Sequence, residues 1–141
     1  MNMIKYLIKQ KVKGLIFTLI VFSPYTYSKN KVEIINVTGL EITDSNDRDI
    51  IDICKKWKLS KNDVNNILSL SKEYDSSPYS IFYQTPCDIV GKAKIGNEIW
   101  KYYINGGGMI TLINKNKEIF FGCEAKKCDP FFIFPFDGMN P

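Results

Sequence analysis

The spacing of four cysteines restricts the fold of this chain more than any other feature. Cys123 and Cys128 enclose a short loop, with the apolar runs 120–121 and 131–134 on either side of it. Cys54 and Cys87 lie far apart in the upstream part of the chain. An even number of cysteines is typical of a small exported domain held by disulfides, and four cysteines allow three pairings.

One of these pairings suits the predicted positions of the cysteines. We expect Cys54–Cys87 to join a helix to the sheet and Cys123–Cys128 to close the short loop. In the chain-entropy description the longer loop contributes roughly 3–4 kcal/mol of stability and the shorter roughly 2 kcal/mol. A Cys₄ zinc site is the alternative, but only Cys123 and Cys128 have the close spacing of zinc-ligand pairs. A redox-active pair is typically C-x-x-C, so catalytic cysteines are not predicted.

The start of the chain has the pattern of an export signal. A lysine-rich segment precedes the apolar run 14–22, and small residues at Thr26 and Ser28 provide a cleavage point after Ser28. A membrane anchor is the alternative, but the apolar run is far shorter than the roughly 20 residues of a membrane span. We therefore predict a signal peptide over residues 1–28 and a single globular domain over residues 29–141. The predicted location is periplasmic or secreted, with no membrane span after cleavage.

The charge of the chain follows the same division. Its 19 basic and 15 acidic residues give a formal net charge of +4. Four of the lysines and none of the acidic residues lie within residues 1–28, so residues 29–141 have no net charge. A basic domain would favour nucleic acid as a partner, but here the excess belongs to the targeting segment. No nucleic-acid partner is predicted.

The hydrophobic pattern predicts an α+β fold, with two short helices packed on one face of an antiparallel β-meander sheet. Residues 31–37 alternate as a strand does, and residues 40–42 continue it after a bend. Residues 47–58 have helical spacing. A second helix begins at the N-cap Ser60 and extends to about Tyr74.

In the second half of the chain, the hydrophobic pattern has the two-residue period of β-strands. Gly96 and Asn97 are a strong signal for a two-residue hairpin turn. The glycine run 106–108 predicts a further turn, since the lysine and serine of a phosphate-binding loop do not follow it. The predicted strands are residues 81–84, 87–95, 98–104, 109–113, 118–123 and 131–134.

Residues of the common catalytic sites are scarce. The sequence has no histidine, which removes the usual general base and every Ser–His or Cys–His arrangement. Arg48 is the only arginine, and arginine is the side chain that binds a phosphate group through two parallel hydrogen bonds, so a phosphate-binding site is not predicted. The acidic residues near Arg48 are expected in the first turns of a helix, where their charge interacts favourably with the positive end of the helix dipole. The sequence predicts no enzyme activity, no cofactor and no metal.

Two polar loops are the candidate sites for a protein partner. The first follows the second helix, and the second lies between the last two cysteines. Ordinary solvent-exposed connections have the same composition, and that alternative stays open. The candidate residues are Asp75, Ser76 and Tyr79 in the first loop, and Glu124, Lys126 and Lys127 in the second.

Several segments together resemble a group of small exported, disulfide-containing proteins of Gram-negative bacteria. The segments are Trp57-Lys58-Leu59-Ser60, Thr85-Pro86-Cys87-Asp88-Ile89-Val90-Gly91, Trp100-Lys101-Tyr102-Tyr103-Ile104-Asn105, Phe121-Gly122-Cys123 with Cys128, and Asp137-Gly138-Met139-Asn140-Pro141. The resemblance spans most of residues 29–141. It implies disulfides and a periplasmic location, and it brings no catalytic residue and no functional site.

Three roles are considered for a small exported domain of this kind. The first is an immunity-type protein, which neutralises a toxin or effector by binding over its active site. A preorganised scaffold suits that role because it loses little entropy on binding. The second is a structural or accessory envelope protein that binds a protein or glycan. A hydrolase that uses carboxylates alone is the third alternative.

Overall fold

The computed structural model describes residues 31–139. The predicted signal peptide lies outside the described residues, so cleavage after Ser28 stays a prediction. The described part contains six strands, two α-helices and one 3₁₀ helix. In chain order they are β1 (Val32–Ile42), α1 (Arg48–Lys56), α2 (Lys61–Leu70), β2 (Lys72–Tyr74), β3 (Cys87–Ile95), β4 (Glu98–Asn105), β5 (Met109–Asn114), β6 (Lys117–Gly122) and the 3₁₀ helix (Lys126–Phe131).

The six strands form one antiparallel sheet in the order β1-β3-β4-β5-β6-β2. Strands β3 to β6 are joined by consecutive hairpins, and β1 and β2 are the two edges. The turn between β3 and β4 contains Gly96 at φ +60°, a conformation that glycine adopts without a steric cost. The predicted α+β class, the meander and this hairpin turn are confirmed.

Local side-chain bonds fix the starts of both helices. Asp47 caps α1, where its Oδ1 accepts hydrogen bonds from the backbone N–H groups of Asp49 (3.0 Å) and Ile50 (3.3 Å). Ser60 Oγ accepts from Asp63 N (3.1 Å), and Asp63 Oδ2 accepts from Ser60 N (2.8 Å). Both bonds of a capping box are therefore present, with aspartate in the place of the usual Glu or Gln.

The predicted end of the second helix is wrong. Helix α2 ends at Leu70, and Ser71 after it is extended, at ψ 151°. The next three residues form β2, which pairs with β6 in the register Lys72 to Gly122 and Tyr74 to Phe120. An edge of the sheet thus supplies the backbone hydrogen bonds that a longer helix would have supplied.

Two of the predicted strands are absent from the structure. Residues 81–84 form an irregular loop, and residues 131–134 span the end of the 3₁₀ helix and an irregular segment after it. The 3₁₀ turn returns Cys128 to Cys123, and the N–H groups of Ile133 and Phe134 then both donate to the Gly106 carbonyl oxygen, at 2.9 and 3.1 Å. A loop carbonyl satisfies this backbone in place of a strand partner.

The hydrophobic core lies between the helices and one face of the sheet. Val64 and Ile67 of α2 are fully buried in the same cluster as the inward side chains of the strands. Trp57 packs against this cluster, and its indole Nε1 donates to the Phe131 carbonyl oxygen (2.8 Å). The main strand residues of the core are Ile34, Ile89, Ala93, Trp100, Tyr102, Ile104, Ile110, Leu112 and Phe121.

Both disulfides favoured by the sequence are present. Cys54–Cys87 joins α1 to the first residue of β3, with the Cα atoms 6.0 Å apart, and Cys123–Cys128 closes the short loop, with the Cα atoms 5.9 Å apart. All four residues are buried and no cysteine is free. This arrangement leaves no thiolate for the zinc site considered as an alternative.

Tyr102 couples the stability of the fold to alkaline pH. Its side chain is 1% exposed, and its hydroxyl donates to the Asn36 carbonyl oxygen (2.7 Å). Burial raises the pKa of the Tyr102 phenol to about 12, against about 10 in an unfolded chain. The folded chain therefore keeps a proton that the unfolded chain releases, and this contribution is complete below about pH 10 and lost as the pH rises through about 12.

We expect the free energy of unfolding to fall by about 2–3 kcal/mol over that pH range because of this residue, since one pKa unit corresponds to about 1.4 kcal/mol. Denaturant unfolding of the Tyr102→Phe variant between pH 9 and 12 should show a shallower loss. Tyr79→Phe is the control, because Tyr79 is 61% exposed. Equal slopes for the native protein and Tyr102→Phe would contradict the expectation.

Candidate binding surface

The sheet face that points away from the helices is the candidate binding surface, and we call it the open face. Successive side chains of a strand point to opposite faces. Trp100, Tyr102 and Ile104 of β4 lie in the core, so Ile99, Lys101 and Tyr103 point to the open face. The pairing register adds to them Asp88 and Lys92 of β3, Met109, Thr111 and Ile113 of β5, and Phe120 of β6.

The middle of the open face carries apolar and aromatic side chains. Ile99 is 51% exposed although it belongs to an interior strand of the sheet. Tyr103 and Ile113 are partly buried, and the register places Lys101 opposite Ile113 and Tyr103 opposite Thr111. Apolar and aromatic side chains on the outward face of a sheet make that face a candidate for interaction with another molecule.

Two depressions cross the open face and meet at Ile113. The larger, with a volume of about 620 Å³, is rimmed by lysines, and we call it the lysine groove. The smaller, of about 270 Å³, is called the Asp88 recess. Side chains that line the lysine groove are those of Thr38, Lys92, Ile99, Lys101, Ile113 and Lys115. The recess is lined by Gln84, Asp88, Tyr103, Met109, Thr111 and Ile113, with Asn105 at its base.

The charges of the open face are only partly paired. Lys101 Nζ lies 3.3 Å from Glu41 Oε1 and 4.7 Å from the centroid of the Tyr103 ring. The neighbouring Tyr103 and Glu41 raise the pKa of Lys101 above its usual value. Within residues 31–139, Lys92 and Lys115 form no ion pair. The lysine groove therefore has free positive charge at its rim.

Asp88 is a partly buried carboxylate with a neutral partner. Its Oδ1 accepts a hydrogen bond from Asn105 Nδ2 (3.1 Å), and no cation of the described part pairs with it. Burial raises the pKa of Asp88 above its ordinary value, the bond from Asn105 acts in the opposite direction, and the charge of Glu41 raises it further. The charged form of Asp88 is thus poorly compensated within the chain.

Asn105 fixes the base of the recess. It is almost fully buried, and its Oδ1 accepts from Thr85 N (3.0 Å) and Gly107 N (3.1 Å). Its Nδ2 donates to the Thr85 carbonyl oxygen (3.0 Å) as well as to Asp88. A buried amide with this many bonds ties the loop before β3 to the turn after β4. The wall that carries Gln84 is therefore held in place.

The six loop residues predicted as partner contacts lie outside the open face. Asp75 and Ser76 form an exposed bend after β2, and Tyr79 is exposed beyond it. In the second loop, Glu124 pairs with Lys72 at 3.8 Å and Lys126 pairs with Asp129 at 2.8 Å, while Lys127 is exposed. The role of these six residues in partner binding therefore stays a prediction.

The polarity of the loops gives no indication of the open face. A usable signal exists in β4, where residues 99 and 103 are apolar or aromatic although the alternation assigns them to the solvent side. Asp88 and Asn105 carry no comparable signal, because the contact between them depends on the pairing of β3 with β4.

No group of three His, Cys, Asp or Glu residues between positions 31 and 139 is arranged to hold a metal ion. No helix in the same range has the length and apolar character needed to cross a membrane.

Comparisons with protein-family models, with curated proteins and with solved structures find no match for this chain. The resemblance to small exported proteins stays an expectation.

Proposed function

We propose that this protein is a periplasmic or secreted protein-binding domain of the immunity type, which neutralises a toxin or effector by covering its active site. The open face is the observation that carries the proposal. One side of the sheet packs on the helices, and the other presents Ile99, Tyr103 and Ile113 to the surroundings. Aromatic and apolar anchors surrounded by polar groups are the usual composition of the centre of a protein interface.

Rigidity supports an inhibitory role. The side chains of the open face lie on hydrogen-bonded strands, and two disulfides and the Asn105 bonds hold the segments that border them. A surface that is ordered before binding loses little conformational entropy when the partner docks. Tight inhibition by a small domain depends on keeping this loss of conformational entropy small.

The charge pattern of the open face supports recognition of one partner. Free lysines border the lysine groove, and an uncompensated carboxylate lies in the Asp88 recess. Charges of opposite sign at fixed positions set the register of an interface and exclude partners with the wrong pattern. A partner with an acidic patch beside a basic side chain matches this surface.

The disulfides support an oxidising location. Both bonds are of the kind that persist outside the cytosol, where reducing agents do not keep thiols free. Together with the predicted export signal over residues 1–28, this makes the periplasm or the exterior the proposed place of action.

A capture experiment with matched variants tests the function. Tagged mature protein, residues 29–141, is incubated with lysate of the producing organism, and bound proteins are read by mass spectrometry. Ile99→Glu alters the open face, and Ile53→Glu is the control, because Ile53 on α1 is 48% exposed against 51% for Ile99. We expect one dominant partner with the native protein and the control, and at least about thirtyfold weaker binding to Ile99→Glu, as for a hot spot worth about 2 kcal/mol.

The captured partner is then assayed with purified native protein. Inhibition that reaches completion near one-to-one stoichiometry supports the immunity-type function. Capture that is insensitive to Ile99→Glu would move the interface to another surface. An envelope protein or glycan as the ligand, with no inhibition, would favour the accessory envelope role.

A further inference from the structure

We propose that the Asp88 recess receives an arginine side chain of the protein partner, with the guanidinium group donating to Asp88 at the edge of the recess that Tyr103 lines. The inference rests on the proposed function, since it assigns a specificity pocket within the same interface. Three properties of the recess carry it: its unpaired carboxylate, its size and its set of acceptor atoms.

Charge is the first property. Asp88 Oδ1 is bonded to the neutral amide of Asn105, and Lys101 of the open face is engaged with Glu41 and lies over the Tyr103 ring. A partly buried carboxylate without a cation favours its neutral form, and burial raises the pKa of Asp88 accordingly. A cation supplied from outside would remove that penalty. The ligand that gains most here is therefore positively charged.

Size is the second property. The recess holds about 270 Å³, which is below the roughly 300–1,000 Å³ of pockets that bind drug-sized ligands. A single long side chain fits this space, and Met109 and Ile113 on its walls offer apolar contact for the methylene groups of that chain. The recess thus fits an anchor residue of a larger partner better than a free small molecule.

Acceptor atoms distinguish arginine from lysine. Gln84 Nε2 donates to the carbonyl oxygens of Tyr79 and Phe82, both at 3.1 Å. Gln84 and Asp88 both line the recess, and no donor among the described residues bonds to Gln84 Oε1 or Asp88 Oδ2. A guanidinium group carries five donors in one plane and stacks on aromatic rings, whereas an ammonium group is a compact point charge. Several acceptor atoms among the residues that line one small recess match the planar group.

A titration with a minimal probe tests the inference without the partner. N-acetyl-arginine N-methylamide is added to the isotope-labelled, oxidised protein, and amide signals are followed by NMR. We expect saturable shifts centred on Gln84, Tyr103 and Thr111, with a dissociation constant on the order of millimolar. The citrulline analogue has nearly the same shape but a neutral head, and it should bind at least about tenfold more weakly.

Two variants identify the carboxylate. Asp88→Asn keeps an oxygen for Asn105 Nδ2 but removes the charge, and we expect it to weaken arginine binding by about tenfold. Glu33→Gln is the matched control, because Glu33 lies on the open face opposite Lys94 and outside the recess. It removes the same charge and should leave the affinity unchanged. The signal pattern of each variant also reports whether it is folded.

The outcomes separate this inference from the proposed function. Equal binding of the arginine and citrulline probes, shifts centred elsewhere, or unchanged affinity in Asp88→Asn would each overturn the recess inference. If capture of a partner still depended on Ile99, the protein-binding function would stand without it. Arginine binding that depends on Asp88 supports the recess as a basic-residue site, even where no toxin is captured and the immunity-type function fails.

Discussion

Replacement of Cys54 and Cys87 together by alanine is expected to lower the free energy of unfolding by about 3–4 kcal/mol. The bond joins residues 33 positions apart, and in the chain-entropy description a loop of that length has this effect. Domains of this size have about 5–15 kcal/mol of net stability, so the loss is a large share. At about 4 °C per kcal/mol, the melting temperature should fall by roughly 12–16 °C.

The location of the bond adds a local effect to this global one. Cys54 is the only buried residue of α1, so the disulfide is the principal attachment of that helix to the rest of the fold. We expect the amides of α1 to exchange hydrogen faster in the Cys54→Ala/Cys87→Ala variant, beyond the general increase. Alanine is chosen because both positions are buried and a serine hydroxyl would introduce an unpaired polar group.

The second disulfide provides the comparison. Cys123 and Cys128 are only five positions apart, so the Cys123→Ala/Cys128→Ala variant should lose about 2 kcal/mol, close to half as much. Thermal unfolding of both variants without reductant, followed by circular dichroism, measures the difference. Equal losses, or a larger loss for the short loop, would show that local packing and not loop length determines what each bond contributes.

The elements that the sequence predicted well are those with local causes. The start of α2 depends on Ser60 and Asp63, which lie within one helical turn. The β3–β4 turn depends on Gly96, whose positive φ few other residues tolerate. Alternation over residues 98–105 then determined which face of β4 is buried.

The elements that were missed depend on distant backbone partners. Residues 72–74 became a strand because Gly122 and Phe120 of β6 offered an edge to pair with. Residues 132–134 did not, because Gly106 accepted the hydrogen bonds of Ile133 and Phe134. Such choices are not encoded in the periodicity of a short segment, because the competing partners lie far away in the chain.

The candidate site divides in the same way. The exposed apolar positions of β4 are readable from alternation, whereas the recess exists only because Asn105 joins two segments 20 positions apart. Polarity led instead to the loops around Asp75 and Glu124, since exposed loops are the usual positions of binding residues. In this fold the structured face of the sheet, more than its loops, offers a preformed surface.

Replacement of Gly107 by alanine is expected to cost about 3 kcal/mol of stability, the upper end of the range for overpacking. An added Cβ would collide with the backbone carbonyl group of Tyr83, whose carbon would lie 2.6 Å away. Backbone cannot move aside as a flexible side chain can. The loop that carries Tyr83 also carries Gln84, so the change should widen the Asp88 recess. We therefore expect the arginine probe to bind more weakly.

Gly96→Ala is the matched control, because the two glycines need their lack of a side chain for different reasons. Gly96 has φ +60° and open space around the position of a Cβ, whereas Gly107 is absent from the positive-φ residues of the described part. The cost at Gly96 is therefore conformational only, about 1 kcal/mol, and the probe should bind as before. If the two variants lost the same stability, or if Gly107→Ala bound the probe normally, the close packing of loop and turn would not be what shapes the recess.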